Sequence, residues 1–464
     1  MNPGHERIGS MLVEEGAPAG TNLLVQSLRY TLEDRPPPIT SFLFGVQHVL
    51  IMFTAMIASP LVIGGMLNLP PDQRGSMMTG VMLGCGVGTL VSSLGFFWIG
   101  GRLPLVLGAY VIYIAPVVAI ARTESLAAVS TALVIGAFAL LAVSPAIGKL
   151  RALFPPLVVG TLLIMTGESL IKVAAGIAFG VNTPYFGNPL TFIYLVGSIV
   201  FIVAINMLTK GTTKSLSIFL TVVCIYLVSI PMGLTNLKAI ADAPWLRLPR
   251  LVPYGLAWPS TGAIATIVIY YFVTAIYTMS ITLALCKMLG IDASETRVRG
   301  AVAADGFGSV VATLFGGVPI VSYDQNVGAI SLTGVGSRFV VASAGALLVV
   351  MALIPKIGLA IGVVPTFVLG GTLIFMFGMI VVVGVSILTE SLRSQRDLLI
   401  VAASVALSTT ISFAPAAVFD IIPPSVRLLA NDGIIIGTLT AVLLNLAIPK
   451  GKFEELKRRA PAGK

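Results

Sequence analysis

The chain has 464 residues, of which 56% are hydrophobic and only 10% charged, and its mean hydropathy is +1.00. A spanning helix needs about 20 apolar residues, so these figures exclude a water-soluble domain and leave room for many spans. The net charge of +9 does not point to nucleic acid, because the basic residues are scattered among loops and gathered at the C-terminus.

In chain order, Met1–Pro38 is polar and carries Glu14, Glu15, Glu33 and Asp34. It lacks the basic, apolar, small-residue order of a cleaved signal peptide, so it reads as a loose cytoplasmic tail with a short helix near Thr21–Leu32. Apolar spans follow near Ser41–Leu67, Ser76–Ile99, Leu103–Ala121, Leu126–Ser144, Phe154–Ala175, Leu190–Leu208 and Ser215–Gly233. After a loop containing PWLRLP they resume near Gly262–Leu289, Gly300–Phe315, Gly317–Gly334, Phe339–Leu353, Pro365–Leu388, Leu398–Phe413 and Asn431–Ile448. The expected fold is an all-α membrane protein of about fourteen transmembrane segments. With both ends cytoplasmic, the inner loops collect Arg102, Lys149, Arg151, Lys210, Lys214, Lys287, Arg297, Arg299, Arg338, Arg393 and Arg396, and the C-terminal tail adds more. That excess agrees with the positive-inside rule. Cys85, Cys224 and Cys286 fall in apolar spans with no CxxC and no His/Cys cluster, which argues against a disulfide framework or a zinc site; no cofactor is expected.

Two spans are interrupted alike. Gly100-Gly-Arg-Leu-Pro104-Leu-Val106 opens the third, and Gly316-Gly-Val-Pro319-Ile-Val321 opens the tenth. Each pairs glycines with a proline and a short β-prone run ending near an aromatic, Tyr110 or Tyr323. Backbone that leaves helical form at membrane depth survives only where protein buries it or it lines a wet cavity. Matching interruptions in two halves point to a transporter site built on inverted repeats. Pro319–Tyr323 suits an extended segment, and Asp324-Gln-Asn326 suits the start of a half-helix that aims free N–H groups at the middle of the membrane.

At these residues the chain resembles the nucleobase–ascorbate transporter family, also called nucleobase:cation symporter-2. Gln325-Asn326-x-Gly328-x4-Thr333-Gly334 is similar to the family signature, Gln47-His48 to its first-span marker, and RGAVAADGFGSVVATLFG, with Arg299 and Asp305, to its ninth span. The likeness covers about residues 29–450. It implies two inverted repeats of seven spans, short strands in spans three and ten, and a homodimer in the lipid bilayer, here a bacterial inner membrane. It also implies a division of the chain: a tail (1–38), core segments (39–150 and 260–355), gate segments (151–235 and 356–448), an extracytoplasmic loop (236–259) and a basic cytoplasmic tail (449–464). The implied function is secondary transport of a purine, xanthine or uracil-like heterocycle, coupled to H+ or Na+, with the core moving against the gate.

One departure bears on mechanism. The family's eighth span carries a base-binding glutamate and a second polar residue four positions on; aligned on Thr274–Ile276, these positions hold Tyr277 and Ile281. Tyrosine can hydrogen-bond a ring, but an unperturbed pKa near 10 makes it a poor proton carrier. Asp324 stands beside Gln325, where relatives have a small residue, so the acid has either moved across the site or been lost. The alternative to proton coupling is an uncoupled facilitator, or a sodium-coupled carrier of a different small planar solute. An enzyme would need a nucleophile/base pair or metal cluster facing a cavity, and His48 is the only intramembrane histidine.

Ionisable groups inside a membrane suggest function by default. Asp324 is read as a site acid, compatible with a helix cap. Gln325 offers one acceptor and two donors to a heterocycle edge. Tyr323, Tyr277, Tyr110 and Ala109 complete the expected substrate contacts, the last two through strand N–H groups. His48, Asp305 and Asn326 are read, with Asp324, as a coupling or structural relay. Glu168 and Lys172, at i,i+4, are expected to pair locally.

Overall fold

The computed structural model describes residues 28–150, 154–181, 183–235, 237–363 and 365–448. The first 27 residues and the tail from 449 onward, with what is expected of them, lie outside these. The helices start where the chain chemistry says they should. Pro38, Pro71, Pro156 and Pro189 open α1 (Pro38–Met66), α2 (Pro71–Leu94), α5 (Pro156–Ala178) and α6 (Pro189–Leu208), a position where the missing N–H is harmless. Ser125, Ser260, Ser294 and Ser394 cap α4 (Leu126–Val143), α8 (Thr261–Leu289), α9 (Glu295–Leu314) and α13 (Gln395–Phe413) through their side-chain oxygens. Gly290 and Gly334, in the left-handed conformation, end α8 and α10 (Asp324–Thr333). The remaining main helices are α3 (Ile114–Thr123), α7 (Ser217–Ser229), α11 (Arg338–Ala352), α12 (Gly370–Ser391) and α14 (Gly433–Ala447).

Among the described residues eight helices are long and apolar enough to cross a membrane, by length and composition. They are α1, α2, α4, α5, α6, α8, α12 and α13, two of them with short extensions. Four shorter apolar helices accompany them. α9 falls outside this set because Glu295, Arg297, Arg299 and Asp305 interrupt its apolar run. It is instead buried by protein: α9 packs on α2 and α4, and α2 packs on α11. Small residues allow this closeness. A Cβ on Gly84 of α2 would sit 2.4 Å from the Ala312 Cβ, and one on Gly308 would lie 3.0 Å from the Gly88 Cα. A second group, α5, α6, α12, α13 and α14, packs mainly on itself, with the α5–α12 contact the most extensive.

The two interrupted stretches meet in the first group. β1 (Leu107–Ala109) pairs antiparallel with β2 (Ile320–Ser322), Gly108 opposite Val321. Only three residues per strand are extended, so both outer edges need partners in an apolar interior. Side-chain hydroxyls supply them: the Leu107 amide donates to Thr89 Oγ1 of α2 (2.9 Å), and the Ile320 amide to Ser309 Oγ of α9 (3.0 Å).

Two expectations are corrected. Residues 28–37 are tied down rather than loose, and Leu28–Leu32 is not helical. Tyr30 exchanges backbone hydrogen bonds with Gly334 and Gly336, and Glu33 pairs with Arg338 at 2.8 Å. The Glu168 carboxylate does not take Lys172; it accepts from Thr409 Oγ1 (3.0 and 2.9 Å), while Lys172 donates to the Ser412 carbonyl and lies over the Phe413 ring. Both groups take partners on α13 instead of each other.

Candidate functional site

Tyr323 adopts the extended conformation that precedes α10, and Asp324 is the first helical residue rather than the cap. Its Oδ1 is buried and has no hydrogen-bond partner among the described residues. The Tyr277 hydroxyl, on α8, lies against the same carboxylate. The Tyr277 ring stacks on Tyr110 with centroids 5.1 Å apart and planes 15° from parallel. The hydroxyl of Tyr110 is also buried without a partner. The Tyr323 hydroxyl donates to the Ala109 carbonyl and so closes the strand pair over itself.

These residues border a cavity of about 360 Å³. Ala109, Tyr110, Tyr277, Tyr323, Asp324 and Gln325 all line it, so the structure brings together all six residues read as substrate contacts. Gln325 is exposed toward this space. One detail differs from expectation. The Tyr110 amide is taken by the Pro319 carbonyl at 3.0 Å, so it is not free to bind a solute.

The relay residues sit behind the wall instead. Asn326 Nδ2 lies 2.8 Å from His48 Nδ1 and donates to the His48 carbonyl at 3.4 Å, joining α10 to α1. Asp305, fully buried on α9, accepts from Thr278 of α8 and from Ser322 of β2, the latter at 2.9 Å. None of the three lines the cavity.

The opposite wall was missed from sequence. It comprises Leu163 of α5, Ile218 and Phe219 of α7, and Met376, Met379, Ile380 and Val383 of α12. Apolar residues inside apolar helices give no contrast to read. Thr54 of α1, lining the cavity with an unpartnered hydroxyl, was equally silent. The result is a pocket with one polar and one apolar wall, of the size usual for small-molecule sites. Among the described residues Asp324 is its only carboxylate, and no Lys, Arg or His lines it. Such a space suits a flat ring, with hydrogen bonds at one edge and apolar contact elsewhere.

A bundle of membrane-length helices enclosing a solute-sized pocket between two broken elements defines a membrane carrier. The comparisons give the particular family. Residues 40–417 match the pattern of Xan_ur_permease, described as "Permease family", and the chain belongs to that family, the nucleobase:cation symporter-2 group of transporters. It is 32% identical to the uric acid permease PucJ of Bacillus subtilis, over 87% of this chain and 92% of that one. It is 30% identical to the xanthine permease XanQ of Escherichia coli, over 94% and 96%. The transmembrane domain of a cyanobacterium bicarbonate transporter, BicA, superposes with a TM-score of 0.60 at 14% identity, covering 89% of this chain and 100% of that domain; this likeness speaks to fold alone. The family's members are transporters, not enzymes.

Proposed function

We propose that the chain is a secondary active transporter of a nucleobase-like heterocycle of the purine, xanthine or uracil class, coupled to protons and working by alternating access. The observation that carries this is the cavity where β1 and α10 meet, with Asp324, Gln325 and Tyr277 on one wall and α12 on the other. The likeness to a uric acid permease and a xanthine permease supports the substrate class. The antiparallel pairing of β1 with β2 supports two inverted repeats of seven spans. The two self-packing helix groups support a core (39–150, 260–355) that moves against a gate (151–235, 356–448). Both termini then face the cytoplasm of a bacterial inner membrane, and the gates of two subunits form a homodimer. Asp324 binds a ring N–H or carries the coupling proton.

The test is uptake of radiolabelled xanthine, hypoxanthine, urate and uracil into proteoliposomes, with and without pH and sodium gradients. Uptake of none of them overturns the reading. Gln325→Ala is expected to fold and dimerise normally while losing at least about 1 kcal/mol of binding, roughly fivefold in affinity. Ligand-induced thermal shifts equal to those of the wild type would remove Gln325 from the site. A second reading, an uncoupled facilitator, is favoured by one feature: α8 contains no acidic residue.

A further inference from the structure

A second cavity, of about 400 Å³, lies beyond the first on the same seam between the two helix groups. Its walls include Ala115 of α3, Thr266 of α8, Lys172 of α5, Ser412 of α13, and Asn431 and Asp432 before α14. Along α5 the two cavities are bordered by Leu163 and Ser169, about two turns apart. Residues whose buried hydroxyls have no partner among the described residues border both spaces: Thr54 and Tyr110 the first, Thr266 the second.

A run of tyrosines leads from Tyr110, at the first cavity, to Tyr270, which bonds Asp432 at the second. Tyr110 contacts Tyr113 (centroids 6.4 Å apart), and Tyr113 contacts Tyr270 (5.9 Å) and Tyr271 (5.2 Å). The Tyr113 hydroxyl bonds Thr274 Oγ1 at 2.9 Å, which keeps this ring with the α8 side. Tyr270 alone of the four has a side-chain hydrogen bond to the opposite group, donating to Asp432 Oδ2 at 2.6 Å. Asp432 Oδ1 meanwhile accepts from the Ile434 and Ile435 amides and caps α14 (3.0 and 3.1 Å). The carboxylate therefore holds the start of one moving helix and the hydroxyl of another.

We propose that the Tyr270–Asp432 hydrogen bond is the latch of the extracytoplasmic gate, and that breaking it joins the outer cavity to the central site. The hydroxyl lies on α8 and the carboxylate at the cap of α14, elements which alternating access requires to separate, so the bond forms in one state and is absent in the other. This rests on the transport reading above. The two fail separately, because failure of all uptake removes the transport reading whereas the accessibility of the central cavity measures the barrier itself.

The experiment places Thr54→Cys in the central cavity, replaces the exposed Cys224 by serine, and retains the buried Cys85 and Cys286. A membrane-impermeant methanethiosulfonate is applied to the extracytoplasmic face of right-side-out vesicles. Adding Tyr270→Phe, which keeps the ring and removes the hydroxyl, is expected to speed labelling of position 54 at least fivefold, and xanthine to slow it. Asp432→Asn provides a graded second reading: its amide oxygen still caps α14, but toward Tyr270 its N–H group can only donate to the phenolic oxygen, a neutral bond in place of the charge-assisted one, so a smaller acceleration is expected. Unchanged labelling in a normally eluting variant overturns the latch. So does equal acceleration from both faces, which would be general loosening, or loss of the folded protein in both variants, which would make the pair a structural strut.

Discussion

Asp324→Asn is expected to abolish proton-driven accumulation while leaving substrate exchange intact. Among the described residues Asp324 is the only carboxylate lining the central cavity, and one of its oxygens has no partner there. Asparagine keeps the shape and an acceptor oxygen but cannot take up or release a proton. With one proton carried per substrate, a gradient of one pH unit sustains about tenfold accumulation, equivalent to about 1.4 kcal/mol. Wild type in proteoliposomes should approach that ratio with xanthine, the variant should settle near unity, and counterflow exchange should run in both. If Asp324→Asn concentrates xanthine as well as wild type does, the carboxylate only shapes the start of α10. If wild type itself merely equilibrates xanthine under proton and sodium gradients alike, the facilitator reading replaces the coupled one.

The parts of this molecule that were legible in sequence are those where residue types clash with their surroundings. Asp324, Gln325 and Asn326 between apolar runs, and the glycine–proline pairs at Gly100–Pro104 and Gly316–Pro319, stand out because a membrane helix has no use for them. The structure forms β1, β2 and α10 there. What stayed hidden lacks contrast or is set by tertiary partners. Met376 and Met379 read like any apolar helix residue, yet they face the cavity. The separation of Glu168 from Lys172 follows from where Thr409 and Ser412 lie on α13, which no local pattern encodes. Tyr110 was placed correctly in the wall, but its amide is used by Pro319 because strand pairing claims backbone donors first. Tyr270 and Asp432 lie 162 residues apart, so only the packed structure joins them.

Asp305 allows the sharpest separation of a structural acid from a coupling one. It is fully buried and accepts hydrogen bonds from Thr278 and Ser322, so one side chain fixes α8, α9 and β2 relative to each other. In Asp305→Ala both hydroxyls lose their acceptor and the removed atoms leave a void. Each orphaned buried group costs about 1–3 kcal/mol, and the void adds to this. The variant should therefore melt well below wild type in detergent and lose xanthine-induced stabilisation, because β2 leads directly into Tyr323 and Asp324. Asp305→Asn should behave differently. Its amide oxygen still accepts one hydroxyl, and its N–H group can donate to the oxygen of the other. Melting close to wild type and undiminished proton-driven accumulation are the expected results. A well-folded Asp305→Asn protein that binds xanthine but no longer accumulates it would move the coupling proton from the cavity wall to α9, and Asp324 would then be a binding residue only.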